Sequence, residues 1–537
     1  MSQANPPSGE LPSQPVDPRA LERGTFLGHP KGLFLLFLVE MWERFSYYGM
    51  RALLVLYLIS PTSGMTEPPD GAPAGFNPGR GWTEEGAYNL YGWYTGLAYL
   101  FPIFGGMIAD RMIGTHRSMI VGGLLIAAGH VVLAISGMGG LEFSQTGMAV
   151  FVMGLALIVL GTGHFKPTVS VMVGQLYPPN DPRRDGAFSI FYMGINLGAF
   201  LCAYVCGTLG ERVGWHWGFG SAAVGMLLGL LLYFIGRPRF IPGIGLPPPG
   251  KGKIAPAFLA IGVVLSVLAA LAFDAGILDK IDDFVTHKVV TSVIALAAIS
   301  WAVWFTLRQP KVDRGPVISI FLFMLFNAVF WLSFEQAGSS INVFTNEDTN
   351  RHIGSFEVPT TWFQSINPLL IIILAPLFGM LWTYLARRNR NPSQPAKIGT
   401  GLLFVGLGYL FLVFAAMQAK DAAEASLWLV VGTYAMHTTG EIILSPTGLS
   451  YVTKAAPKQH VSLLMGIWFL SSFIANLGAG KVAAQANKVA SGEIDVPWDF
   501  GGKADFFFLF TATSCSAGLI VLLLVPLLKK LMRNPND

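Results

Sequence analysis

Apolar runs of about 18 residues or more recur along the whole chain, roughly fourteen of them. They lie near 32–60, 82–110, 117–137, 146–176, 184–209, 217–236, 254–274, 285–307, 316–338, 359–386, 398–417, 425–453, 460–485 and 503–531. A backbone surrounded by lipid must satisfy its own N–H and C=O groups, so each run is read as a membrane-spanning helix. Composition agrees: of 537 residues, 53% are hydrophobic and only 12% charged, against about 25% charged in soluble chains. The expected fold class is an all-α polytopic membrane protein.

The net charge of +4 says little by itself, because orientation depends on which loops hold the Lys and Arg. Alternate connections are basic, with Arg111 and Arg117; Arg183 and Arg184; Arg237, Arg239, Lys251 and Lys253; Arg308, Lys311 and Arg314; Arg387, Arg388, Arg390 and Lys397; and Lys454 and Lys458. The C-terminal tail adds Lys529, Lys530 and Arg533. The positive-inside rule then puts these connections and both termini in the cytoplasm. Residues 1–28 are rich in Pro and Ser and lack a basic segment leading into a short apolar core, so a disordered cytoplasmic tail is expected there rather than a cleaved signal.

Two features are assigned no chemistry. Cys202 and Cys206 continue a stripe of small residues, Gly194 and Gly198, at a spacing of four, which suits close helix packing better than a metal or redox centre. The pair Asp282-Asp283 has no second cluster at ligand spacing and reads as a solvated loop. No metal site and no cofactor are expected.

The charges inside the apolar runs carry more information. In the first run Glu40, Glu43, Arg44, Tyr47, Tyr48 and Arg51 fall at i, i+3, i+4, i+7, i+8 and i+11, which is one face of a helix. An ionisable group at mid-bilayer costs about 2.5–3.5 kcal/mol, so this face must look onto protein or water, as a structural ion-pair stripe or a solute or proton pathway. Lys166, in Gly161-Thr-Gly-His-Phe-Lys-Pro167, is a cation in the fourth run, able to form an ion pair with Glu40 or Glu43 when a site is empty. Pro167 withholds a hydrogen bond from the Gly163 carbonyl and weakens that helix. Glu335 and Glu441 are lone carboxylates in long apolar runs, and each needs a cation, a proton or a polar cavity. The histidines His130, His164 and His437 are read as structural.

The stretch Glu40-Met-Trp-Glu-Arg-Phe-Ser-Tyr-Tyr-Gly-Met50 closely resembles the first-helix signature of the proton-dependent oligopeptide transporters of the major facilitator superfamily. Phe191-Tyr-Met-Gly-Ile-Asn-Leu-Gly198 resembles that family's second signature, and Gly106-Met-Ile-Ala-Asp-Arg-Met-Ile-Gly114 the superfamily's loop after the second helix. The resemblance implies two six-helix bundles with two extra central helices: a tail (1–28), an N-terminal bundle (29–237), a linker with two added helices (238–315) and a C-terminal bundle (316–537). It implies a proton-coupled symporter of di- and tripeptides in the cytoplasmic membrane, acting as a monomer with protons as the coupling ion and no nucleic-acid partner.

By the same resemblance, substrate contacts fall to Arg51, Tyr47, Tyr48, Tyr99, Lys166, Asn196, Asn367, Glu441, Ser445 and Trp468. Proton coupling falls to Glu40, Glu43, Arg44, Lys166 and Glu335, with Glu335 linked to Arg51, and gating to Asp110 and Arg111. Asp110 is expected to pair with an arginine or to cap a helix N-terminus. The alternatives are a carrier of another solute, such as nitrate or an amino-acid-like compound, and a membrane-embedded isoprenoid transferase. The transferase would need two Asp-rich metal motifs, which the sequence lacks.

Overall fold

Long apolar stretches form helices throughout the computed structural model, even where a proline such as Pro102, Pro167 or Pro376 falls inside one; it describes residues 24–62, 77–178 and 181–532, except for the side chains of 445–450, 453 and 462. The helices of 19 residues or more are, in order, α1 (Lys31–Ile59), α2 (Glu84–Ile108), α3 (Thr115–Ile135), α4 (Gln145–Gln175), α5 (Arg184–Cys202), α6 (Trp215–Phe240), α7 (Ala255–Asp274), α8 (Lys288–Arg308), α9 (Lys311–Phe334), α10 (Ile366–Arg387), α11 (Gln394–Ala422), α12 (Leu427–Ala455), α13 (Val461–Ala483) and α14 (Lys503–Met532). Among the described residues, twelve helical segments are both long and apolar enough to cross a membrane. Helices α1 and α12 also have the length, 29 residues each, or about 43 Å at 1.5 Å per residue. In α1 the apolar surface is interrupted by four buried charges, Glu40, Glu43, Arg44 and Arg51.

The helices pack as two halves. In the first, α1 lies on α5 and α6, α3 on α4 and α6, and α2 on α4; in the second, α11 lies on α12 and α14, α9 on α13 and α14, and α10 on α12. Helix α7 leans on α3 and α4, while α8 touches little, and only 17% and 11% of their apolar windows are buried. Both helices fall in the stretch 238–315, where two added helices are expected. Of the expected tail, residues 1–23 lie outside the described residues, and Thr25–Phe26 pairs antiparallel with His29–Pro30.

The halves meet along two seams, α2 against α13 and α5 against α10. In the first seam the backbones touch: a Cβ on Gly480 would sit 2.5 Å from the Tyr88 carbonyl oxygen and 2.6 Å from the Gly92 Cα. Neither obstacle is a flexible side chain, so the helices must separate to admit any larger residue. Gly480→Val is therefore expected to weaken the seam by about 1–3 kcal/mol. Cross-linking of cysteine pairs placed across α2 and α13 should fall at the end bearing Gly92 and Gly480.

That end has a clasp above it. Asp282, expected in a solvated loop, lies instead on a short helix, Ile277–Thr286, which turns its carboxylate onto the seam. It accepts a hydrogen bond from Trp93 Nε1 at 2.7 Å and pairs with Lys481 Nζ at 2.5 and 2.6 Å. Trp93 and Lys481 directly follow the two touching glycines, so the insert straps both halves. The loop reading fails because the segment continues as a helix and finds a cationic partner far away in sequence.

Candidate functional site in the cavity between the halves

One wall of the site is the charged face of α1. The first turn of its stripe keeps to itself: Arg44 Nε lies 3.1 Å from Glu40 Oε1 and also pairs with Glu43, with all three side chains buried. A charge taken into an apolar interior is tolerable only when paired, which explains why Arg44 sits between the two carboxylates. Tyr47 lies beneath the Arg44 guanidinium, 5.4 Å from it, and stacks on Tyr94.

Two turns later Arg51 reaches across to the other half. Its Nη2 pairs with Glu335, at the end of α9, and its Nε donates to the Tyr91 hydroxyl at 2.6 Å. Only 7% of Arg51 and 2% of Glu335 is exposed, so each charge is held chiefly by the other. The Tyr48 ring faces the same guanidinium at 5.9 Å.

The opposite wall belongs to α10 and α12. Asn367 Nδ2 donates to Glu441 at 2.8 Å and to the Thr438 hydroxyl at 3.1 Å. The described partner of Glu441 is thus an amide, and among the described residues no cation pairs with its carboxylate. Between the walls lies a cavity of about 220 Å³ lined by Tyr48, Arg51, Tyr99 and Asn196 from one half and Glu335, Asn367 and Glu441 from the other. It has a cationic pole paired to Glu335 and an anionic pole held by an amide, separated by aromatic surface.

The remaining expected site residues lie elsewhere. Lys166 does not pair with Glu40 or Glu43, because Arg44 already engages both; its ammonium sits 3.5 Å from the centroid of Tyr99, one layer behind the cavity wall. Trp468 is packed in the core of the second half, 8% exposed, and Tyr47 is buried behind Tyr48; neither lines the cavity. The side chain of Ser445 lies outside the described residues.

Asp110 and Arg111 are exposed on a wide turn, Ala109–Ile113, and among the described residues Asp110 makes neither the ion pair nor the cap expected of it. The start of α3 is Gly114, with no side-chain cap, and the loop is held instead by His116 N on the Gly245 carbonyl at 3.0 Å.

Sequence reasoning passed over Tyr91, Gln364 and Tyr434, of which the last two line the cavity. Tyr91 had a signal: Tyr88, Tyr91, Thr95 and Tyr99 recur at i, i+3, i+7 and i+11, a polar stripe on α2 facing the charges of α1. Gln364 has none, being one polar residue in a short connecting turn, Thr360–Ser365.

Residues 116–497 match the POT family, most of the chain. The chain belongs to that family. It is 36% identical over 512 residues to the uncharacterized transporter YclF of Bacillus subtilis, covering 95% of this chain and 96% of that one. It is likewise 36% identical to the peptide transporter YePEPT of Yersinia enterocolitica, with 95% and 96% covered, and 34% identical to a di-/tripeptide transporter of Lactococcus lactis subsp. cremoris, with 95% and 97% covered.

Among solved structures, a mutant of peptide transporter POT in complex with sulfate superposes with a TM-score of 0.77 at 35% identity, covering 97% of this chain and 99% of that one. A POT family transporter in complex with 5-aminolevulinic acid gives 0.76 at 28% identity, with 96% and 100% covered. This POT chain is accordingly a multi-pass membrane carrier, not an enzyme, and the isoprenoid-transferase reading falls.

Proposed function

We propose that this POT chain imports di- and tripeptides together with protons across the cytoplasmic membrane, working as a monomer with both termini inside. The observation that carries the reading is the two-pole cavity. A peptide is a zwitterion, and Arg51 offers its carboxylate a partner while Glu441 and Asn367 offer its ammonium group another. The relatives named as peptide transporters, and a further POT structure in complex with alafosfalin, support this substrate class.

The pairing of Arg51 supplies a coupling step. Its guanidinium can meet a peptide carboxylate only by giving up Glu335, and a buried carboxylate left without its cation is costly. A proton on Glu335 removes that cost, so proton and peptide enter together. When the proton leaves, Glu335 reclaims Arg51 and the peptide carboxylate loses its partner.

The described hydrogen bonds and ion pairs between the halves lie at mid-height or at the end remote from the basic loops. With the basic loops inside, the outer end is closed and the cavity faces the cytoplasm. The Arg51–Glu335 pair is the state expected after peptide and proton have left.

Glu441 separates peptides from solutes without an ammonium group. In proteoliposomes, Glu441→Gln is expected to raise KM for dialanine by at least about tenfold, the value of one charge-assisted contact. It should have little effect on N-acetyl-dialanine, which brings no ammonium group. An unchanged KM for dialanine would favour a carrier of nitrate or another anion.

A further inference from the structure

The second seam between the halves contains a carboxylate that the transport cycle described above does not use. Glu211, in the short helix Thr208–Arg212 that extends α5, points into the other half. One carboxylate oxygen accepts from the Thr360 amide at 2.8 Å; the other accepts from the Thr361 amide at 2.8 Å and the Thr361 hydroxyl at 2.6 Å. These amides open the turn Thr360–Ser365, which runs straight into α10.

The first amides of a helical stretch have no partner of their own and must be capped. Pro359, which precedes this one, brings no capping side chain, so the cap comes from the opposite half. Trp362 Nε1 donates to the Thr208 hydroxyl at 2.9 Å and Arg212 donates to the Glu357 carbonyl at 2.7 Å, closing the seam on both sides. Asn367, the amide that holds Glu441, lies on the same continuous stretch as the capped amides.

A cap borrowed from the other half is lost whenever this end opens. We propose that Glu211 is the positioning residue that latches this end shut: as a carboxylate it ties the start of α10 to α5, and in doing so it sets Asn367 and Glu441 opposite Arg51. Opening breaks all three hydrogen bonds at once. Glutamine in its place would keep one acceptor but turn an NH₂ group towards donors, so the isosteric change removes the latch without removing bulk.

The latch is read by a distance and the transported solute by uptake, so either can fail without the other. Spin labels at Met138→Cys and Trp428→Cys, both exposed at this end in opposite halves, would be placed in full-length protein whose native cysteines are replaced. Glu211→Gln should raise the ratio of long to short distances at least about tenfold, since charge-assisted hydrogen bonds are the strong ones. Thr361→Val, which loses the hydroxyl donor alone, should shift the ratio in the same direction by less and add little once Glu211 is Gln. Unchanged distances in Glu211→Gln, or fully additive shifts, would overturn the latch; if that variant does not fold, unchanged distances in Thr361→Val would do so.

Discussion

Glu335→Gln protein in proteoliposomes is expected to exchange labelled for unlabelled dialanine but no longer to concentrate it under an inward proton gradient: the accumulation ratio should fall to about one, the value without coupling. Exchange requires the loaded carrier to move back and forth, and glutamine imitates the protonated side chain that the loaded state needs. In the proposed cycle, concentration requires the carboxylate to lose its proton inside and take back Arg51, which glutamine cannot do. The measurement is uptake against counterflow in the same vesicles. Retained accumulation in the variant would remove Glu335 as the coupling group.

Arg51→Met is expected to produce the second large effect, on stability as well as transport. Its removal strands Glu335, 2% exposed, without a counterion, and breaking a buried pair from one side costs about 3–5 kcal/mol. The detergent-solubilised variant should melt well below the parent. Arg51→Met combined with Glu335→Gln should recover most of that loss, because the second change removes the unpaired charge. Neither protein should accumulate dialanine, and a double variant no more stable than Arg51→Met would show that the pair does not set stability.

Helices were legible wherever a single rule dominates. In lipid, backbone satisfaction leaves few options, so apolar length located twelve spans among the described residues, and the one-sided spacing of Glu40, Glu43, Arg44, Tyr47, Tyr48 and Arg51 identified the buried polar face of α1. Partners were much less legible. Lys166 and Arg44 are both cations near the same two carboxylates, and spacing along the chain cannot say which one wins; packing gives them to Arg44 and leaves Lys166 on the Tyr99 ring. Arg51 and Glu335 are 284 residues apart, so their pairing came only from the family resemblance.

Glu211 and Asp282 show the same limit from the other side. Each is an acidic residue at a helix end or between apolar runs, where a solvated carboxylate is the ordinary expectation. What sets them apart is the other half of the molecule, which brings Thr360 and Thr361 to the first and Lys481 to the second. Trp468 is the reverse case, an aromatic expected to contact substrate that the second half absorbs into its core.

The most direct test of proton-coupled peptide import is uptake of labelled dialanine into liposomes holding the purified protein, with and without an inward proton gradient. Symport predicts accumulation above the external concentration that appears with the gradient and collapses on adding a protonophore. Uptake that merely equilibrates, indifferent to gradient and protonophore, would contradict it.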